Sequence, residues 1–103
     1  MAGPMRIRAA VADGVTEVRV LMSHPMETGQ RKDASGEAIP AHFITELTAK
    51  HNDKVVLNAE MGPSVSTNPY LAFKFNGGAA GDTIVVSWKD NKGDSRTDEV
   101  QIR

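Results

Sequence analysis

Apolar residues recur at every second position along most of the chain, in seven short segments separated by turn-forming residues. Ile7, Ala9 and Val11 mark the first, closed by Ala12-Asp13-Gly14. In the second, Val18, Val20 and Met22 share one face, with Glu17 and Arg19 on the other. A polar stretch from Ser23 to about Pro40 then breaks the rhythm. Phe43, Thr45 and Leu47 open the third segment, ended by His51-Asn52-Asp53, and Val55, Leu57, Ala59 and Met61 line the fourth. After a two-proline loop from Gly62 to Pro69, Leu71, Phe73 and Phe75 form the inward face of the fifth. Gly77-Gly78-Ala79-Ala80-Gly81-Asp82 reads as a hairpin turn into the sixth, which carries Ile84, Val86 and Trp88. Asp90 to Asp94 then turn into the seventh, which ends in Val100 and Ile102.

Seven strands in 103 residues predict an all-β fold, an immunoglobulin-like antiparallel β-sandwich forming one domain over residues 1–103. Its core is expected to hold Val20, Leu57, Phe73, Phe75, Val86 and Trp88. A helix competes only at 43–50, where Phe43, Ile44 and Leu47 also fit helical spacing and Glu46 precedes Lys50 by one turn. The β-branched Ile44, Thr45 and Thr48 favour a strand.

Twelve basic residues against thirteen acidic leave a net charge of −1, so no overall basic field attracts nucleic acid or an anionic membrane, and neither is expected as a partner. Cysteine is absent, which removes disulfides, thiolate ligands and thiol nucleophiles. Met1 to Arg6 run into the first alternating segment without an apolar leader, which by itself suggests the cytoplasm.

His24, His42 and His51 are the only side chains whose ordinary titration falls near neutrality. No serine stands in a nucleophile motif, so the histidines read as surface groups and no enzyme is expected. Imidazole and thioether in His24-Pro25-Met26-Glu27 suit copper, and a copper-binding periplasmic sandwich is the alternative function. Ligand type without ligand spacing is weak evidence, so Met22 and Met61 read as core, Met26 as a loop contact, and no metal or cofactor is expected. The glycines at 77–81 precede a strand, whereas a phosphate-cradling loop opens onto a helix. The unexplained segment is Ser23 to Pro40, since a connection this long in so short a chain usually has a task.

At these residues the chain resembles the SoxZ family of bacterial sulfur-compound oxidation. The resemblance lies in the run His24-Pro25-Met26-Glu27-Thr28-Gly29-Gln30-Arg31-Lys32-Asp33, then Gly36 with Ile39-Pro40-Ala41-His42-Phe43-Ile44. It continues in Gly62-Pro63-Ser64-Val65-Ser66-Thr67-Asn68-Pro69-Tyr70, Phe73-Lys74-Phe75, and Trp88-Lys89-Asp90-Asn91 with Gly93. The resemblance implies an immunoglobulin-like sandwich that forms a heterodimer with SoxY, whose C-terminal cysteine arm carries sulfur intermediates in thiosulfate oxidation. It implies a non-carrying, non-enzymatic scaffold that meets the pathway enzymes transiently. It also implies export to the periplasm as a passenger of the signal-bearing partner, in place of the cytoplasm. An uncovered pairing surface would let the isolated chain form homodimers. The candidate partner-binding residues are His24, Pro25, Met26, Glu27, Gly29, Gln30 and Arg31.

Overall fold

A computed structural model describes residues 3–103; Met1 and Ala2, on which part of the sequence expectation about the N-terminal segment rests, lie outside the described residues. The alternating segments become seven strands: β1 Arg6–Ala12, β2 Val15–Leu21, β3 Ile44–His51, β4 Lys54–Glu60, β5 Tyr70–Asn76, β6 Thr83–Asp90 and β7 Ser95–Gln101. Antiparallel pairing places them in a three-stranded sheet, β1-β2-β5, and a four-stranded sheet, β4-β3-β6-β7. This is an immunoglobulin-like sandwich in which the fourth strand has joined the third instead of the first sheet, held there by the tight His51-to-Lys54 hairpin. Val18, Val20, Met22, Ile44, Leu47, Ile84, Val86 and Trp88 are fully buried between the sheets. At about 2 kcal/mol per large apolar side chain, this layer is the main source of cohesion.

Residues 44–50 are strand, with Phe43 just before it, and a bulge explains the helix-like spacing. Register slips between Ile44 and Glu46, so Thr45 is an extra residue and both Ile44 and Leu47 point inward, three positions apart. A second slip, at Ala49/Lys50, places Val56 as the extra residue on β4. Val55 is therefore turned outward and is half exposed, not part of the inward row. Leu57, Phe73 and Phe75 pack against the core but are only partly covered, because β4 and β5 are edge strands. The 77–82 turn is not a hairpin. It carries the chain from β5 in one sheet to β6 in the other. Gly78 (φ +91°) lies so close to the buried Thr16 hydroxyl that a Cβ would collide with it.

The molecule measures 54 × 20 × 19 Å. Strands of seven or eight residues span only about 23–26 Å, so much of the long dimension comes from a projection at one end.

Candidate functional site

That projection is the segment between β2 and β3. It is a narrow antiparallel ribbon in which Glu27 pairs with His42 and Lys32 pairs with Ala38. Backbone hydrogen bonds run Glu27 N to His42 O (2.7 Å), His42 N to Glu27 O (2.9 Å), Ile39 N to Arg31 O (2.8 Å) and Asp33 N to Glu37 O (2.9 Å). At the tip, Asp33 Oδ1 accepts from the Ser35 amide and hydroxyl and from the Glu37 amide, a self-contained turn that favours the carboxylate. The Ser35 hydroxyl leads in holding the Asp33 carboxyl below its ordinary range. Residues 31–38 are all exposed. A two-stranded ribbon without a sheet behind it is marginal in water, so its base must hold it.

The base is clamped by two asparagines. Asn68 accepts from the His24 amide through Oδ1 (3.0 Å) and returns its own amide to the His24 carbonyl (2.9 Å). On the other side, Asn91 Oδ1 accepts from the Phe43 amide (2.8 Å) and Asn91 Nδ2 donates to the Ala41 carbonyl (2.9 Å). Between them, Asp90 joins both arms. Its Oδ2 accepts from His24 Nε2 (3.0 Å) and His42 Nε2 (2.7 Å), while Oδ1 accepts from the amides of Lys92 (3.0 Å) and Asp94 (2.9 Å). The Asp90 side chain has 0% exposure, His24 2% and His42 25%. The Trp88 and His24 rings pack edge to face, nearly perpendicular, with centroids 5.1 Å apart.

Burial is the largest single influence on Asp90 and favours the neutral acid, but it is outweighed. The His24 hydrogen bond, then the Asp94 amide, His42 and the Lys92 amide together lower its pKa to about 2. The proton positions follow from the network. The Met26 amide donates to His24 Nδ1 (3.1 Å), so the neutral His24 ring carries its proton on Nε2 and gives it to Asp90. Met26 is held in a left-handed backbone conformation (φ +50°), and its sulfur accepts from the Ile44 amide (3.4 Å).

The hub brings His24, His42 and Asp90 within 4.8 Å of one another, a set with metal-ligand chemistry. Its hydrogen bonds argue against that use. A ligating histidine normally donates its second N–H to a carbonyl or carboxylate, whereas His24 Nδ1 accepts, and its Nε2 lone pair is consequently not free for an ion. The hub is a structural node that fixes the direction of the ribbon.

Of the candidate partner-binding residues, His24 and Met26 are buried inside this node. Pro25, Gln30 and Arg31 are exposed, and Glu27 and Gly29 are half-buried. Arg31 forms a two-pronged ion pair with Glu27, whose hydrogen bond lowers the Glu27 pKa. The histidines expected on the surface are not free there. His51 also takes an aspartate, Asp82, at 2.8 Å. Asp90, Asn68 and Asn91 are the residues the sequence pattern did not single out; all three lie in stretches that carry the resemblance noted above.

The fold and the clamped ribbon define a class, a β-sandwich whose longest connection is built as a projection clamped at its base. The chain belongs to the family of the sulphur oxidation protein SoxZ, whose model matches residues 5–101. A search of curated proteins finds no significant match. Among solved structures it is similar to hypothetical protein PH1083 from Pyrococcus horikoshii OT3, with TM-score 0.70 and 18% identity over 99% of this chain and 89% of that one. It is also similar to a superoxide reductase (neelaredoxin) from Ignicoccus hospitalis, with TM-score 0.63 and 18% identity over 99% and 80% of the two chains. At that identity the likeness is one of fold.

Proposed function

We propose that this chain is the non-carrying subunit of a SoxYZ-type heterodimer, holding a SoxY-type subunit whose cysteine arm bears the sulfur intermediates of thiosulfate oxidation. Family membership gives the sulfur-oxidation role. The observation that supports the finer reading is the projecting ribbon, clamped at its base and exposed over residues 31–38. A pre-stiffened element loses little conformational freedom on docking, and the unpaired edges of a two-stranded ribbon suit the addition of a partner strand. The role is that of a scaffold and not an enzyme: the chain has no thiol of its own, and the buried hub spends its polar atoms on structure. In this reading the heterodimer works in the periplasm, which the chain reaches with a signal-bearing partner.

The test is co-expression with a cysteine-bearing carrier subunit. One-to-one co-purification, with any covalent sulfur mass on the partner alone, is expected. Separate elution of the two chains, or a sulfur adduct on this one, would overturn the reading.

A further inference from the structure

The outer face of the three-stranded sheet carries an unusual charge arrangement. Strand register sets its residues in rungs: Arg6 beside Leu21 and Tyr70, Arg8 beside Arg19 and Ala72, Ala10 beside Glu17 and Lys74. Arg103 extends the last rung, because its amide donates to the Ala9 carbonyl (2.9 Å) and its carbonyl accepts from the Val11 amide (3.1 Å). Arg6, Arg8, Arg19, Lys74 and Arg103 thus share one exposed face with a single acid, Glu17, giving it a formal charge of +4 and leaving −5 for the rest of a chain of net charge −1. Glu17 is already engaged by Arg19 at 3.0 Å, and among the described residues the other four cations have no carboxylate within ion-pairing distance.

Arg8 opposite Arg19 is a like-charge cross-strand pair, which weakens a sheet unless something neutralises it. Small residues form the floor of the face. A shallow depression of about 290 Å³ lies over Ala9 and Ala10 between Arg8, Arg19, Glu17 and Arg103. A second, of about 240 Å³, lies between Arg6, Arg8, Arg19, Leu21 and Tyr70. Tyr70 is 61% exposed and Leu21 40% exposed, so an apolar shoulder flanks the basic tray.

We propose that this face docks an acidic, extended segment of a partner protein. Alternate side chains of an extended segment lie about 6.6–7 Å apart, the spacing of successive rungs, so carboxylates at every second position would meet the basic groups of consecutive rungs. Arginine recognises carboxylates in two-pronged fashion, and arginine and tyrosine together are favoured in interface cores. A nucleic acid fits less well, because its charge would continue past this small face onto the acidic remainder of the molecule. The inference is independent of the carrier role proposed above.

The experiment measures binding of a fluorescent peptide of alternating glutamate and valine by anisotropy, at low and at physiological ionic strength. Wild-type protein is expected to bind it in a salt-sensitive manner, with the glutamine–valine version weaker by about tenfold or more. Arg8→Glu with Arg19→Glu should lose about tenfold or more for the acidic peptide and gain binding of a lysine–valine peptide. Arg8→Gln with Arg19→Gln should show the same loss without charge reversal. The proposal is overturned if wild-type protein fails to bind the acidic peptide, or if both double variants bind it as wild type does. It is equally overturned if inorganic phosphate displaces the peptide at equal concentration, or if a single-stranded oligonucleotide binds more tightly than the peptide.

Discussion

Replacing Asp90 with asparagine tests the hub at its centre. The asparagine oxygen must face the Lys92 and Asp94 amides, which turns its NH2 group towards His24 and His42. His42 can adapt by moving its proton to Nδ1 and accepting with Nε2. His24 cannot, since its Nδ1 already accepts from the Met26 amide. One buried and one part-buried charge-assisted hydrogen bond are therefore lost, at about 1.5–2 kcal/mol each because His42 keeps some contact with water, and one neutral bond of about 1 kcal/mol is regained, for a net loss of about 2–3 kcal/mol. In a domain of this size that lowers the melting temperature by about 10–20 °C. The pKa of Asp90 gives a second route to the magnitude. It is depressed from 3.8 to about 2, so its contribution is fully present above about pH 4 and is lost as pH falls through about 2. That gap corresponds to about 2 kcal/mol. Denaturant unfolding of wild type and Asp90→Asn across this range should show a difference that shrinks by about 2 kcal/mol towards pH 2. A loss below about 1 kcal/mol at neutral pH, or a difference independent of pH, would refute the reasoning.

Trp88, 1% exposed, should lose about 3–5 kcal/mol when changed to alanine, measured by chemical denaturation; under about 1 kcal/mol would place it at the surface. Gly78→Ala should destabilise by about 1–2 kcal/mol more than Gly81→Ala, because both glycines have positive φ but only at 78 does the new Cβ meet Thr16. Arg8→Glu should raise stability by about 0.5 kcal/mol, as it turns the like-charge pair with Arg19 into an attractive one; no gain in stability would contradict this. Alone in solution the chain should self-associate through the β4 and β5 edges, where Leu57, Phe73 and Phe75 are incompletely covered, and light scattering showing a monomer at high concentration would contradict this.

The seven strands are legible in the sequence because alternation survives wherever one face meets the core. It misleads where a residue is inserted: the Thr45 bulge imitates helical spacing, and the extra Val56 reverses the side on which Val55 falls. Turn-forming residues at 77–82 announce a reversal but not that the next strand joins the other sheet. Length alone marks the Ser23–Pro40 segment as functional, but not its clamp. Asp90 stands 66 and 48 residues from the two histidines it joins, and in sequence it is simply an acid opening a turn. A net charge of −1 conceals the basic face, although arginines at 6, 8 and 19, each on the polar side of the alternation, already point to it.

The most direct test of the account removes the ribbon and keeps its clamp. Residues 29–40 replaced by a two-residue asparagine–glycine turn would preserve the Glu27–His42 pairing and the Asp90 hub. Stability should stay within about 0.5 kcal/mol of wild type, since the deleted residues are mostly exposed. Affinity for the co-expressed carrier subunit should fall about tenfold or more, about 1.4 kcal/mol. Wild-type affinity in a folded, ribbon-less chain would contradict the claim that this projection is where the partner is held.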